Sequence, residues 1–213
     1  MQFKVINALF INNPAFIARL PPWLRELLES LPPQLRVDRF ANLDQWDGYP
    51  TERARLLNLL RERNVKNLIA ITGDIHTFIA GYLKTNFDNL AERPVGVELV
   101  VASVTSGNLS ELIASQTSAQ RTPVSGAPMP AVALSEFPIG LLIAPVIQLN
   151  NPHMAFFDSS THGYCVMEVT PFLTRCTMKA VSTIRQPEAT LRNVITFIVP
   201  RDQALLIPTI SLG

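Results

Sequence analysis

The 213-residue sequence predicts an α/β fold of mixed, α+β character with a C-terminal antiparallel hairpin. Three observations predict it: leucines recur at helical spacing before residue 66, residues 67–72 form a continuous apolar run, and the segments after residue 160 alternate like strands. With 47% hydrophobic and 16% charged residues, the chain can bury one sizeable core. We therefore expect a single domain over residues 1–213.

The first third of the chain predicts one strand and two helices. Residues 3–11 are rich in β-branched and aromatic side chains, as strands are. Between the proline pairs at 21–22 and 32–33, leucines at helical spacing predict a short surface helix. A second helix is expected over residues 51–65, with Thr51 or a neighbour as its N-cap.

The middle of the chain predicts buried strands and a loop. The apolar run 67–72 is typical of a strand covered on both faces, and residues 95–104 predict a second strand. Residues 116–130 are rich in Ser, Thr, Pro and Ala, which indicates a mobile loop. The apolar run 137–149 is too short and too interrupted by proline to span a membrane, so we interpret it as core.

After residue 160 the pattern becomes antiparallel β-structure. Residues 163–169 and 173–181 both alternate between apolar and polar side chains and are separated by a Thr-Pro-Phe turn. They predict a C-terminal antiparallel hairpin, and residues 194–199 predict one further strand.

Charge and cysteine content exclude several functional classes. With 18 Lys+Arg and 17 Asp+Glu, the net charge is +1, so no broad field attracts nucleic acid or an anionic membrane. The two cysteines, Cys165 and Cys176, are too few for a disulfide scaffold and fit no zinc spacing, and their redox state is left open. No serine nucleophile elbow and no glycine-rich phosphate loop occurs. An anionic substrate must therefore be held by a local site.

The most informative segment for chemistry is Gly73-Asp74-Ile75-His76, which follows the apolar run. It offers a carboxylate oxygen and an imidazole nitrogen as metal ligands at the end of a strand, where α/β folds usually bind ligands. Gly73 leaves room for the chain to turn. The alternative is structural, with Asp74 capping a turn and His76 packed at the strand end.

A second candidate segment is Asn151-Pro152-His153. Pro152 fixes the local backbone, so Asn151 and His153 could both face one cleft as phosphate donors or metal-shell groups. The alternative is a polar loop in which His153 binds a backbone carbonyl. His162, beside a glycine, is more typical of a turn residue.

Taken together, these segments resemble the PhoD-like alkaline phosphatases, a family of calcineurin-like metallophosphoesterases. The resemblance rests on segments in the family's order and approximate spacing: Asp44-Gln45 with Trp-Asp-Gly-Tyr-Pro at 46–50, Arg53, the run 68–76, Ser-Val-Thr-Ser at 103–106, Asn-Pro-His at 151–153, and residues 163–171. Their joint occurrence is far more specific than any one of them.

The resemblance implies a two-sheet sandwich flanked by helices that hydrolyses phosphate mono- and diesters. It implies iron and calcium as cofactors, with other divalent ions as alternatives, and a small phosphate ester as substrate. By this resemblance Asp74 and His76 are metal ligands and catalytic residues, His153 is catalytic, and Asn151 and His153 bind substrate. We predict that Asp74, His76 and the segment 151–153 share one cleft.

The family's N-terminal half, with its own metal-ligand motifs, has no counterpart before residue 40. The chain is therefore expected to be the C-terminal part of such a domain, to carry part of the active site, and to self-associate or pair with the missing half. A non-catalytic remnant that binds partners through an unpaired sheet edge is the alternative. The family resemblance also implies export, although residues 1–10 show no signal-peptide pattern.

Overall fold

The computed structural model describes residues 2–7, 12–30, 32–33, 36–40, 43, 45–111 and 139–209. In this part of the chain, a mixed and an antiparallel β-sheet pack face to face, and helices cover the outer face of the mixed sheet. The predicted mixed α/β class and the two-sheet arrangement are confirmed.

The mixed sheet contains four strands in the spatial order β3-β5-β4-β6. They are β3 (Ile69–Thr72), β4 (Phe78–Leu83), β5 (Gly96–Val100) and β6 (Met154–Asp158). β3 runs parallel to β5, whereas β4 runs antiparallel to both β5 and β6. Strand β5 lies within the predicted range 95–104, and β4 and β6 were not predicted.

The antiparallel sheet has the order β10-β9-β8-β7. Its strands are β7 (Gly163–Val169), β8 (Leu173–Val181), β9 (Leu191–Pro200) and β10 (Ile207–Thr209). Strands β7 and β8 form the predicted hairpin with the predicted bounds, and β9 extends the strand predicted at 194–199.

Near the N-terminus, β1 (Lys4–Ile6) and β2 (Arg39–Phe40) form a separate antiparallel pair. Strand β1 is shorter than the predicted strand 3–11, whose residues 8–11 lie outside the described part of the chain. The predicted loop 116–130 lies there as well.

Four helices and one short 3-10 helix, Trp46–Gly48, occur in the described residues. They are α1 (Pro14–Ile17), α2 (Pro22–Ser30), α3 (Pro50–Glu62) and α4 (Ile139–Asn150). α2 and α3 match the two predicted helices. Thr51 does not cap α3, because Pro50 opens that helix and the N-cap residue, Tyr49, makes no side-chain capping bond. No helix in the described ranges is long and apolar enough to cross a membrane.

The main core lies between the two sheets. Most of its buried side chains come from β4, β5, β8 and β9, namely Phe78, Ala80, Val97, Leu99, Cys176, Met178, Phe197 and Val199, and Ala102 and Leu206 complete it. The other cysteine, Cys165, packs against this cluster, and both thiols are free. The cysteines therefore contribute to the core as small apolar residues.

The outer face of the mixed sheet is covered by α4, β1 and α3. Alternate residues of β4 point to this side, where Ile79 packs with Phe157, Ile147 of α4 and Phe3. Leu57 of α3 packs against Leu83 at the end of β4. The described part of the run interpreted as core, residues 139–149, therefore contributes a helix that contacts the sheet.

Strand β3 differs from its prediction. The side chain of Ile71 is 63% exposed, because β3 lies at the edge of the mixed sheet with β5 as its neighbour. The prediction that this strand is covered on both faces is therefore wrong. A continuous apolar run indicates a strand but does not reveal whether it lies inside a sheet or at its edge.

Candidate active site

Three loops meet where the strands of the mixed sheet end on one side. The parallel strands β3 and β5 both end there, and the register pairs Phe78, the first residue of β4, with Asp158, the last residue of β6. The loops that follow or precede these strand ends span residues 73–77, 101–111 and 159–162, and we call them the strand-end loops. In open α/β sheets, ligands usually bind at the carboxyl ends of the parallel strands, where these loops lie.

Asp74 lies in the first of these loops and is exposed to solvent. Its Oδ2 accepts a hydrogen bond from Nε2 of Gln45 at 3.0 Å. Gln45 directly precedes the Trp-Asp-Gly-Tyr-Pro motif, so this contact joins two of the motifs that carried the resemblance. The carboxylate is held in place from one side and is open on the other.

His76 is partly buried, and its Nδ1 lies 2.8 Å from the carbonyl oxygen of Gly107. A carbonyl oxygen can only accept, so Nδ1 carries the proton in this contact. The other ring nitrogen, Nε2, is thereby the one suited to a metal ion. Histidine ligands of metals commonly donate their second nitrogen to a backbone carbonyl in this way.

The backbone of this loop is strained at both candidate ligands. Asp74 has φ of 71° and His76 has φ of 53°, the left-handed region, which Asp, Asn and His enter more often than other non-glycine residues and which Asn64, Asn67 and Asp202 also adopt. Such conformations cost on the order of 1–3 kcal/mol each and concentrate at functional sites. Gly73, expected to provide the room to turn, is not left-handed, and a Cβ there would only touch Val101 at 3.7 Å.

The donor types fit a metal, but the set is incomplete. Asp74 offers carboxylate oxygens and His76 offers Nε2, a combination found at both zinc and iron sites. No group of three or more His, Cys, Asp or Glu among the described residues is placed to hold a metal ion. A closed site needs four or more ligands, so these two side chains can form only part of one.

Asn151 is fully buried away from the strand-end loops. Its Oδ1 accepts from the backbone N–H of Lys4 at 2.7 Å, and its Nδ2 donates to the carbonyl of Lys4 at 2.6 Å and that of Ile147 at 2.8 Å. The side-chain amide thus pairs with both backbone groups of one residue of β1, as a neighbouring strand would. Its contacts attach β1 to the end of α4.

His153 is also buried and is in contact with the N-terminal segment. Its Nε2 lies 2.7 Å from the carbonyl of Gln2, and its ring packs edge-on against Phe87 with centroids 4.7 Å apart. Burial lowers the pKa of His153 to about 3, so the ring is neutral and donates through Nε2–H. The structural alternative for this residue, binding to a backbone carbonyl, is the arrangement found.

The predicted shared cleft is wrong for these positions. The N–H of Tyr82, near the end of β4, donates to the carbonyl of His153 at 2.9 Å, whereas His76 lies just before the start of β4. Because a strand rises about 3.3 Å per residue, the length of β4 places the two sites roughly 15 Å apart. Because β4 and β6 run in opposite directions, His76, which precedes β4, and His153, which precedes β6, lie at opposite ends of the sheet.

The Trp-Asp-Gly-Tyr-Pro motif also supports the N-terminal segment. Buried Asp47 accepts from the backbone N–H of Phe3 at 2.9 Å and forms an ion pair with buried Arg53. The Arg53 guanidinium lies 5.1 Å from the centre of the Phe87 ring, a cation–π distance.

Buried Lys4, in the same N-terminal segment, forms ion pairs with Asp38 and Asp88, both at 2.9 Å. The Trp-Asp-Gly-Tyr-Pro motif therefore has a structural role, in addition to the contact that Gln45, its neighbour, makes with Asp74.

Several polar residues of the strand-end loops were not identified from the sequence. Thr77 and Ser159 are hydrogen-bonded at 3.2 Å, and Ser159 also accepts from the N–H of Ser110. His162, expected to be a turn residue, is instead buried, with Nε2 3.4 Å from the Glu111 carboxylate. The spacing of Asn108 and Glu111, three residues apart as in a capping box, was a local signal that could have pointed to this loop.

The fold is thus a two-sheet α/β sandwich with an Asp and a His donor in a loop at its strand ends. The model of the PhoD-like phosphatase family matches residues 26–178, more than half of the chain. The chain belongs to the PhoD-like phosphatase family.

Two relatives show how much of such a protein the chain represents. Alkaline phosphatase D of Bacillus subtilis (strain 168) is 27% identical over 162 residues, which cover 76% of this chain and 23% of that protein. The solved structure of PhoD superposes with a TM-score of 0.55 at 22% identity, covering 80% of this chain and 27% of that one. The superposition supports the fold, and the chain spans about a quarter of the length of these relatives.

Proposed function

We propose that the chain carries part of the active site of a metal-dependent phosphoric ester hydrolase, with Asp74 and His76 as metal ligands. The observation that carries the proposal is the pair of left-handed residues. Both candidate donors adopt a costly backbone conformation in one of the strand-end loops, where α/β sheets usually bind ligands. Family membership supplies the class of chemistry.

In this proposal the residues of the chain hold and orient the cofactor. The Asp74 carboxylate binds through an oxygen while Gln45 fixes its orientation, and His76 binds through Nε2 while the Gly107 carbonyl fixes its ring. When bound, metal ions lower the pKa of a water ligand toward neutrality and neutralise phosphoryl oxygens. Iron and calcium are the ions that we propose, on the family resemblance.

The substrate in this proposal is a small phosphate mono- or diester, and the remaining ligands come from outside the described residues. The segment 151–153 has no direct part, because Asn151 is buried against β1 and His153 is buried against Gln2. Since two donors form only part of a site, we expect the isolated chain to hydrolyse an aryl phosphate at least about 100-fold more slowly than a complete family enzyme.

Metal binding by the chain tests the proposal directly. In calorimetric titrations with Mn²⁺, Ca²⁺ and Fe²⁺, Asp74→Asn and His76→Gln should each weaken binding at least about tenfold. Asp202→Asn is a matched control, because Asp202 is also an exposed left-handed aspartate that accepts one amide hydrogen bond, from Asn67 at 3.0 Å. Equal metal affinity in the three variants and the parent chain would contradict the proposal.

One observation favours a second candidate function, an interaction module without catalysis. Strand β3 forms an edge of the mixed sheet and exposes Ile71, and Leu56 and Leu59 of the neighbouring helix α3 are also exposed. An open sheet edge with apolar side chains favours pairing with another segment. Sedimentation analysis separates the two functions: association that persists in Asp74→Asn without any metal binding in the parent chain would favour the interaction module.

A further inference from the structure

The carboxylate of Glu111 is linked to the His76 ring through a single peptide group. The carbonyl of Gly107 accepts from His76 Nδ1, and the N–H on the other side of the same peptide group, that of Asn108, donates to Glu111 Oε2 at 3.0 Å. In return, Asn108 Oδ1 accepts from the backbone N–H of Glu111 at 2.9 Å. These two reciprocal bonds fix the orientation of the peptide plane that faces the imidazole.

His162 contacts the Glu111 carboxylate. Its Nε2 lies 3.4 Å from the carboxylate and donates to it when protonated, in which case Nδ2 of Asn108, a donor that also lies 3.4 Å away, makes no hydrogen bond to it. The His162 carbonyl accepts from the N–H of Val181 at 2.9 Å. His162 is only 9% exposed, whereas the Glu111 side chain is 47% exposed. A rigid, buried ring therefore restrains a side chain that solvent would otherwise leave free to change rotamer.

The charge on Glu111 has a consequence for the His76 ring. The Asn108 N–H holds the pKa of Glu111 below its ordinary value, so the carboxylate is ionised at neutral pH. A charged acceptor on the N–H of a peptide group polarises that group and makes its carbonyl a stronger acceptor. The Gly107 carbonyl then favours the proton on Nδ1 of His76 over the proton on Nε2.

We propose that Glu111 is a positioning residue for His76. Through the peptide group between Gly107 and Asn108, it keeps the imidazole in the Nδ1–H tautomer and in one orientation, so that Nε2 carries the free lone pair. The metal-binding part of this role rests on the proposed function. The tautomer is a property of the chain alone, and it can be measured without any metal.

The test is the tautomer ratio of His76 in the metal-free chain at pH 8, from long-range ¹H–¹⁵N correlation spectra. The chain contains three histidines, and His76→Gln identifies the signals of His76. We expect His76 to be mainly Nδ1–H in the parent chain. Glu111→Gln should lower the ratio of Nδ1–H to Nε2–H about two- to fivefold, as for loss of one charge-assisted bond in a chain of hydrogen bonds.

The matched control is Glu168→Gln, which neutralises another partly exposed carboxylate that is paired with Arg175 on the distant hairpin. It should leave the tautomer ratio unchanged. A His76 ring that is mainly Nε2–H in the parent chain would overturn the proposal, as would an unchanged ratio in folded Glu111→Gln. Should that variant unfold, Glu111→Asp, which keeps the charge but shortens its reach to the Asn108 N–H, takes its place and should lower the ratio likewise.

Metal titration of the same samples separates this inference from the proposed function. If both hold, Glu111→Gln weakens metal binding about two- to tenfold, because it lowers the population of the tautomer that offers Nε2 and loosens the orientation of the ring. A parent chain that binds no metal would overturn the proposed function, while the shift in tautomer ratio would still establish the hold of Glu111 on His76. Unchanged metal affinity in Glu111→Gln, with metal bound by the parent chain, would overturn the positioning role.

Discussion

Replacing Asn151 with alanine tests whether the Asn-Pro-His segment is structural. The side chain makes three buried hydrogen bonds of 2.6–2.8 Å, two of them to the backbone of Lys4. Alanine would leave one N–H and two carbonyls without these partners at a fully buried position. At about 1–3 kcal/mol for each unsatisfied group, partly relieved by relaxation, the free energy of unfolding should fall by about 3–5 kcal/mol.

Urea unfolding followed by circular dichroism measures this change. Asn151→Asp is an informative second variant, because it keeps the acceptor for the Lys4 N–H but turns an acceptor toward two carbonyls, so it should destabilise at least as much. Asn193→Ala is the control, since Asn193 is exposed and makes one surface contact to Lys179; its effect should stay within about 0.5 kcal/mol.

A different result would refute this reasoning. If Asn151→Ala unfolded within 1 kcal/mol of the parent chain but lost metal or phosphate binding, the residue would belong to the functional cleft, as the sequence had suggested, and the contacts to β1 would be secondary. The structural interpretation thus predicts a change in the free energy of unfolding, whereas the functional interpretation predicts a change in metal or phosphate binding.

Three further predictions follow from buried or exposed groups. The pKa of His153 falls to about 3 on burial, so the unfolded state takes up its proton first; stability should be complete above pH 6.5 and be lost as pH falls toward 3, by about 2 kcal/mol at pH 5. In urea unfolding, the difference in the free energy of unfolding between pH 7 and pH 5 should be smaller in His153→Gln than in the parent chain. An equal difference in the two chains would contradict the low pKa of His153 as its cause. Asp47→Asn should cost about 3–5 kcal/mol in the same assay, because it leaves Arg53 buried without its charge partner, whereas Glu52→Gln, in an exposed pair, should cost less than about 0.5 kcal/mol; similar values for both would contradict this role. Ile71→Lys should reduce self-association and hydrophobic-dye binding without lowering stability, and unchanged sedimentation and fluorescence would show that the β3 edge is not the associating surface.

The sequence alone was sufficient for features that depend on neighbouring residues. Helix α3 and the hairpin of β7 and β8 follow from local spacing, because helices and tight hairpins are built from contacts between residues close in the chain. The position of Asp74 and His76 at a strand end follows in the same way, since a polar Gly-Asp-x-His directly succeeds an apolar run.

Only the tertiary structure decided which of the candidate residues lie together. Lys4 and Asn151 are 147 positions apart, and nothing local indicates that an asparagine side chain will pair with that backbone. Likewise, the apolar run of β3 does not reveal that it forms an edge, and the direction of β4 sends His76 and His153 to opposite ends of the sheet. Burial and side-chain direction depend on which strands pair, and strand pairing is set by contacts between distant parts of the chain.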